Sequence, residues 1–132
     1  MKKIIAIGIL LSVCSLACAQ ADSLACLKFH TGTFAYRNDS LGLIHINRTN
    51  KRQEEINKEK GIITKFRIKW TGACSYELKQ VWSNSKKQRK QNGAVNKVII
   101  TSATSDSYQF SCACKNIEEG KNNTGIVVLL TQ

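Results

Sequence analysis

The residues of this chain with the most chemical potential are its six cysteines, its two histidines and one lysine-rich run. Cys112-Ala113-Cys114 is a C-x-C pair whose side chains share one face of a strand. Two thiolates so placed suit a soft metal such as copper, with Cys74 or a histidine in support. The same face carries Tyr108 and Phe110, the apolar side of that strand, and this favours structural disulfides. A zinc finger would need a second, correctly spaced pair, and the sequence has none. Cys26, Cys74, Cys112 and Cys114 are therefore disulfide candidates. Four cysteines allow three pairings, and sequence does not choose among them. Cys112 and Cys114 point the same way along a strand, which sits awkwardly for a bond between them. The expectation is two bridges, or one bridge and two thiols.

His30 and His45 lie in no nucleophile, zinc-protease or phosphate-loop motif, so both read as ordinary surface histidines. Glu54 and Glu55 point apart on a strand, and Glu118 and Glu119 fall in a turn. Paired-carboxylate catalysis needs opposed groups at a defined separation. No catalytic, cofactor-binding or metal-ligating residue is assigned, and the chain is expected not to be an enzyme. Lys86, Lys87, Arg89 and Lys90 place four cations within five residues, a candidate contact for anions. The run contains no aromatic residue on which a base would stack, which argues against nucleic acid.

The N-terminus assigns the compartment. Lys2 and Lys3 precede a short apolar run, Ile4 to Ala17, and Ala17 and Ala19 form an A-x-A pattern before Gln20. Residues 1–19 thus read as a helical signal peptide, and the run is shorter than the ~20 residues of a permanent span. Cleavage after Ala19 releases 113 of the 132 residues as a single exported β domain, 20–132. Ser15-Leu16-Ala17-Cys18 also resembles a lipobox, in which Cys18 would be lipidated and anchor the protein in the envelope. Free release, periplasmic or secreted, is the favoured route. Removing the leader leaves 18 basic against nine acidic residues, a net charge of +9 rather than the full chain's +11. That charge favours anionic envelope material or an acidic protein, with the membrane a partner only through a lipidated Cys18.

The elements that position these residues read as strands. Thr64, Phe66, Ile68 and Trp70 alternate with Lys65, Arg67 and Lys69, giving a half-buried strand with a basic outer face. Thr71-Gly72-Ala73 is a turn, and the next strand sets Tyr76, Leu78 and Trp82 on one face. Thr33–Arg37, Leu43–Arg48 and Gln53–Asn57 precede this hairpin, with Gln53–Lys60 as an alternative helical turn. Val95–Ser102, Ser107–Cys114 and Gly125–Thr131 follow it. The stretch 83–92 is polar and basic and reads as a mobile loop. The fold class is all-β: an antiparallel meander of about eight strands forming a small, lipocalin-like barrel or half-barrel.

The segments 26–36 (CLKFHTGTFAY), 47–55 (NRTNKRQEE) and 69–78 (KWTGACSYEL) are similar to small exported proteins of Bacteroidetes-type bacteria, some of which carry a topoisomerase label. The chain holds no nucleotide-binding or DNA-cleaving apparatus that would fit that label, and the resemblance transfers no activity. The expected function is a non-enzymatic binding or interaction module of the envelope. Its contacts would be the lysine-rich loop and the face bearing Lys65, Arg67 and Lys69. As an alternative to these contacts, Arg48, Gln53 and Glu55 would form a polar cluster near an open barrel end. One alternative is a carrier holding a small apolar ligand near Trp70, Tyr76 and Trp82. Another is a metal protein or enzyme using Cys112 and Cys114.

Overall fold

The computed structural model describes residues 21–113 and 123–131; the leader, Cys18, Cys114 and the turn around Glu118 lie outside them. A short helix, α1 (Ser23–Leu27), is followed by β1 (Gly32–Asn38), β2 (Gly42–Arg48), β3 (Arg52–Asn57), β4 (Ile62–Gly72) and β5 (Ser75–Ser83). A second short helix, α2 (Lys86–Arg89), precedes β6 (Val95–Ala103), β7 (Ser107–Ala113) and β8 (Asn123–Thr131). Each strand pairs antiparallel with its sequence neighbour, and β8 returns to β1, so the meander closes into a barrel. Closure leaves no strand unpaired on either side among the described residues.

Period-two alternation decides which side chains enter. Phe34, Ile44, Ile46, Phe66, Ile68, Leu78, Val98, Ile100 and Val127 form the apolar interior. Four register shifts in three strand pairs (one between β1 and β8, two between β4 and β5, one between β6 and β7) supply the extra coiling that a small barrel needs. One of them corrects the sequence reading. Lys65 pairs with Trp82 and Phe66 with Gln80, which leaves Val81 as the extra residue. Gln80 continues the inward face of Tyr76 and Leu78; beyond the bulge the alternation inverts, so Ser83 points inward while Trp82 lies outside, beneath Lys65. β4 also runs on through Gly72, so the β4–β5 turn is tighter than the Thr71-Gly72-Ala73 reading. Gln53–Asn57 is strand, not helix, because Gln53, Glu55 and Asn57 face the interior at period two.

One end of the barrel is plugged. Asp22 caps α1 by accepting from the Leu24 N–H at 3.2 Å, and Cys26 of that helix is bonded to Cys74 in the β4–β5 turn. This draws Phe29 into the barrel, where it is fully buried against Tyr108 with ring centroids 5.0 Å apart. His30 stacks on Trp70 at 3.5 Å and its Nε2 meets the Ala73 carbonyl at 2.8 Å, fastening the segment that leads into β1. At the other end, the 83–92 stretch carries the short helix α2. Ser85 caps α2, and buried Gln80 donates to the Gln88 carbonyl at 2.6 Å and to Asn92 Oδ1 at 3.1 Å. A polar side chain projecting from the barrel rim therefore organises what composition alone suggests is a mobile loop.

Candidate functional site

Two regions combine polar groups that folding by itself does not require: the interior at mid-barrel and the outer face of β3, β4 and β5.

The interior region begins at Arg48, the last residue of β2, which is buried at 4 % exposure. Its guanidinium donates to Gln53 Oε1 (2.7 Å), to the Phe29 carbonyl (2.9 Å), to Tyr108 Oη (2.9 Å) and to Tyr76 Oη (3.3 Å). The rings of Phe34 and Tyr76 each lie 4.9 Å from the guanidinium carbon. A charge so deep is tolerable only with its donors paired and aromatic faces around it. Arg48 thus ties the plug to β2, β3, β5 and β7.

Gln53 passes the network on, donating from Nε2 to Glu55 Oε1 at 2.9 Å. Arg48, Gln53 and Glu55 do form a connected cluster, but Arg48 sits under the plugged end rather than an open one. Glu55 borders two interior chambers. It borders a cavity of about 140 Å³ with Tyr36, Phe66, Asn96, Phe110 and Cys112. A smaller chamber of about 60 Å³ shares Glu55 and Phe66 and extends toward Leu41, Asn57 and Gln88 at the rim. Burial pushes the Glu55 carboxyl up from the ordinary range, against the opposing pull of the Gln53 hydrogen bond, the Arg48 charge and the Tyr36 hydroxyl. Tyr36 is raised far above the usual phenol range, first by the Glu55 charge and then by burial. Gly125 leaves room for the cavity wall: a Cβ there would meet the Phe110 ring at 2.8 Å.

A pH dependence follows. A carboxyl whose folded pKa is raised binds more protons in the folded state between the unfolded and folded values, so stability falls as pH rises through that window. The slope from one such group is at most about 1.4 kcal/mol per pH unit. Glu55→Gln is expected to flatten this decline above the ordinary carboxylate pKa, measured by urea unfolding at a series of pH values.

The carrier reading placed a ligand near Trp70, Tyr76 and Trp82. That space is filled by Arg48 and Phe29, and Trp82 is outside. Cys112 is buried and disulfide-bonded, which removes its thiolate as a metal ligand. Among the described residues no group of three or more potential ligands converges on one point.

The outer region is set by strand register. Arg52 of β3 pairs with Arg67 of β4, and Arg67 pairs with Lys79 of β5. Three exposed cations therefore stand side by side across three strands, spaced at about 4.8 Å per strand. Among the described residues none of the three forms an ion pair. The flanking rows are compensated: Lys65 meets Glu54 at 3.8 Å, and Glu77 stands between Lys69 and Lys97. Like charges directly opposite each other in a sheet destabilise it. Arg52 and Arg67 border a saddle of about 720 Å³ whose lining also includes Thr33, Asn47, Lys65, Val81 and the Glu54 carboxylate, with the inward-facing Arg48, Gln53 and Phe66 at its floor. Lys86, Lys87, Arg89 and Lys90 are all exposed on and just after α2, which sits at the barrel rim next to β5.

Sequence reasoning found Lys65, Arg67 and Lys69 as an outer basic face but missed that Arg52, Arg67 and Lys79 are neighbours. Only the strand register reveals that. Tyr36 and Asn96 were missed because nothing local to either residue marks a cavity wall. The fold and both regions together define a small, disulfide-bonded, closed eight-stranded antiparallel barrel with a strongly basic side. Comparison with protein-family models, with curated proteins and with solved structures finds no match.

Proposed function

We propose that this chain is an exported, non-enzymatic binding module that holds a polyanionic glycan of the cell envelope against the outer face of β3–β5. The observation that carries this reading is the uncompensated row Arg52–Arg67–Lys79. A like-charged row costs stability in the free protein, and an anion laid across it turns that cost into affinity. A repeating polyanion offers charges in succession, and Thr33 and Asn47 add hydrogen-bonding groups along the saddle. α2 extends the same positive field. The Cys26–Cys74 bridge is consistent with an oxidising, exported location. The leader pattern of residues 1–19 and the resemblance to small exported bacterial proteins support release into the periplasm or beyond.

The test is a titration with polygalacturonate, a uronate polymer, at several salt concentrations. Arg52→Gln/Arg67→Gln/Lys79→Gln is expected to weaken binding at least about tenfold at low salt, and the wild-type affinity is expected to fall steeply as screening increases. Because the substitutions relieve repulsion, the same variant is expected to unfold up to about 1 kcal/mol later than wild type. Replacing the four cations of the α2 region is expected to weaken binding to a lesser degree, through the long-range field. Equal affinity of wild type and triple variant would refute the reading.

A further inference from the structure

The mid-barrel cavity is a second place where a ligand fits, and it is independent of the basic outer face. Its walls carry three aromatic rings, Tyr36, Phe66 and Phe110, and one carboxylate, Glu55. Tyr36 and Phe110 meet edge to face with centroids 6.2 Å apart, so their rings bound the space from two directions. Asn96 adds an amide that makes no side-chain hydrogen bond among the described residues. At about 140 Å³ the cavity has room for four or five waters at liquid density, far below the ~300 Å³ at which drug-sized sites begin. An apolar ligand would leave the Glu55 and Asn96 oxygens facing carbon, and an anion would oppose Glu55 directly. A compact cation satisfies the whole wall, because aromatic faces and a carboxylate attract the same charge. Arg48 does not compete for that role, since its donors are engaged by Gln53, Phe29, Tyr76 and Tyr108 away from the cavity.

We propose that the Glu55 cavity is a binding site for a small amine, taken as its ammonium ion, caged by Tyr36, Phe66 and Phe110 and neutralised by the Glu55 carboxylate. Entry runs through the smaller chamber from the rim at Leu41 and Gln88, which shares Glu55 and Phe66 with the cavity. The amine displaces water that would otherwise bridge Glu55 and Asn96.

The experiment uses the purified, disulfide-bonded protein and two probes of matched shape, tetramethylammonium chloride and neutral tert-butanol. The shifts of the Asn96 side-chain amide and of the Tyr36 and Phe110 rings are followed by NMR. Tetramethylammonium is expected to shift these signals saturably, with a Kd of about 1 mM, as suits a ligand of few atoms. tert-Butanol is expected to bind at least about tenfold more weakly. Glu55→Gln, which keeps the acceptor for Gln53 but removes the charge, is expected to abolish the preference between the two. The comparison of probes on wild-type protein stands by itself if that variant fails to fold. Equal binding of the two probes, or no saturable shift at the cavity residues, overturns the proposal. Retention of the preference in folded Glu55→Gln also overturns it. The Arg52, Arg67 and Lys79 substitutions leave this site untouched, so failure here is separable from failure of the glycan reading.

Discussion

Arg48→Met is expected to destabilise the barrel by about 3 kcal/mol or more, one of the largest effects of any single substitution. Methionine follows much of the arginine's path but donates no hydrogen bond. Its introduction leaves Gln53 Oε1 and the Phe29 carbonyl without the donors they now meet at 2.7 and 2.9 Å. Each buried polar group so orphaned costs roughly 1–3 kcal/mol. The Tyr76 and Tyr108 hydroxyls are less exposed to loss, because they lie 3.2 Å apart and pair with each other. Glu55 loses a stabilising charge as well. For a domain of this size, thermal unfolding should drop by roughly 10 °C. Arg48→Lys is expected to recover little of this, since an ammonium cannot span the fork from Phe29 to Gln53 to the two phenols. A loss below about 1 kcal/mol for Arg48→Met would mean that the network only offsets the desolvation of its own charge.

Removal of the Cys26–Cys74 bridge carries the second large effect. The bond closes a loop of 48 residues, for which the chain-entropy account gives about 4 kcal/mol. The double variant Cys26→Ser/Cys74→Ser isolates this bridge, whereas a reductant would also attack the disulfide at Cys112. More than chain entropy is involved, because α1 has five residues and cannot persist by its own hydrogen bonds. Without the bridge, Phe29 is held by packing, by the Arg48 contact to its carbonyl and by the neighbouring His30 on Trp70 and Ala73. The double variant is therefore expected to lose amide-exchange protection first at Cys26–Phe29 and then along the Arg48 network. If protection there survives while global stability falls, the bridge acts through the unfolded chain alone.

Much of this architecture is legible in the residues, and the exceptions have physical causes. Thr64 to Trp70 shows its inward and outward faces plainly because apolar and charged residues alternate without interruption. Trp82 misleads because a single extra residue, Val81, inverts the alternation, and no local chemistry marks that bulge. The 83–92 stretch looks structureless because its anchor, Gln80, belongs to the preceding strand. The pairing of Cys26 with Cys74 depends on where the plug meets the β4–β5 turn, a tertiary fact. Arg48, Gln53 and Glu55 were recognisable as a polar set on neighbouring strands, yet their partners Tyr36, Tyr76 and Tyr108 come from elsewhere in the chain. The row Arg52–Arg67–Lys79 is invisible until register is known, because its members are 15 and 12 residues apart in sequence.

The most direct test of the outer-face reading is to map the contact itself. Arginine Nε–H and lysine Nζ signals of the protein should be followed by NMR as oligogalacturonate is added at low salt. The account predicts that the largest saturable shifts fall on Arg52, Arg67 and Lys79, with smaller ones at Lys65 and α2 and none beyond background on β7 and β8. Shifts spread evenly over all exposed cations, or concentrated on α2 with the three-strand row unmoved, would contradict it.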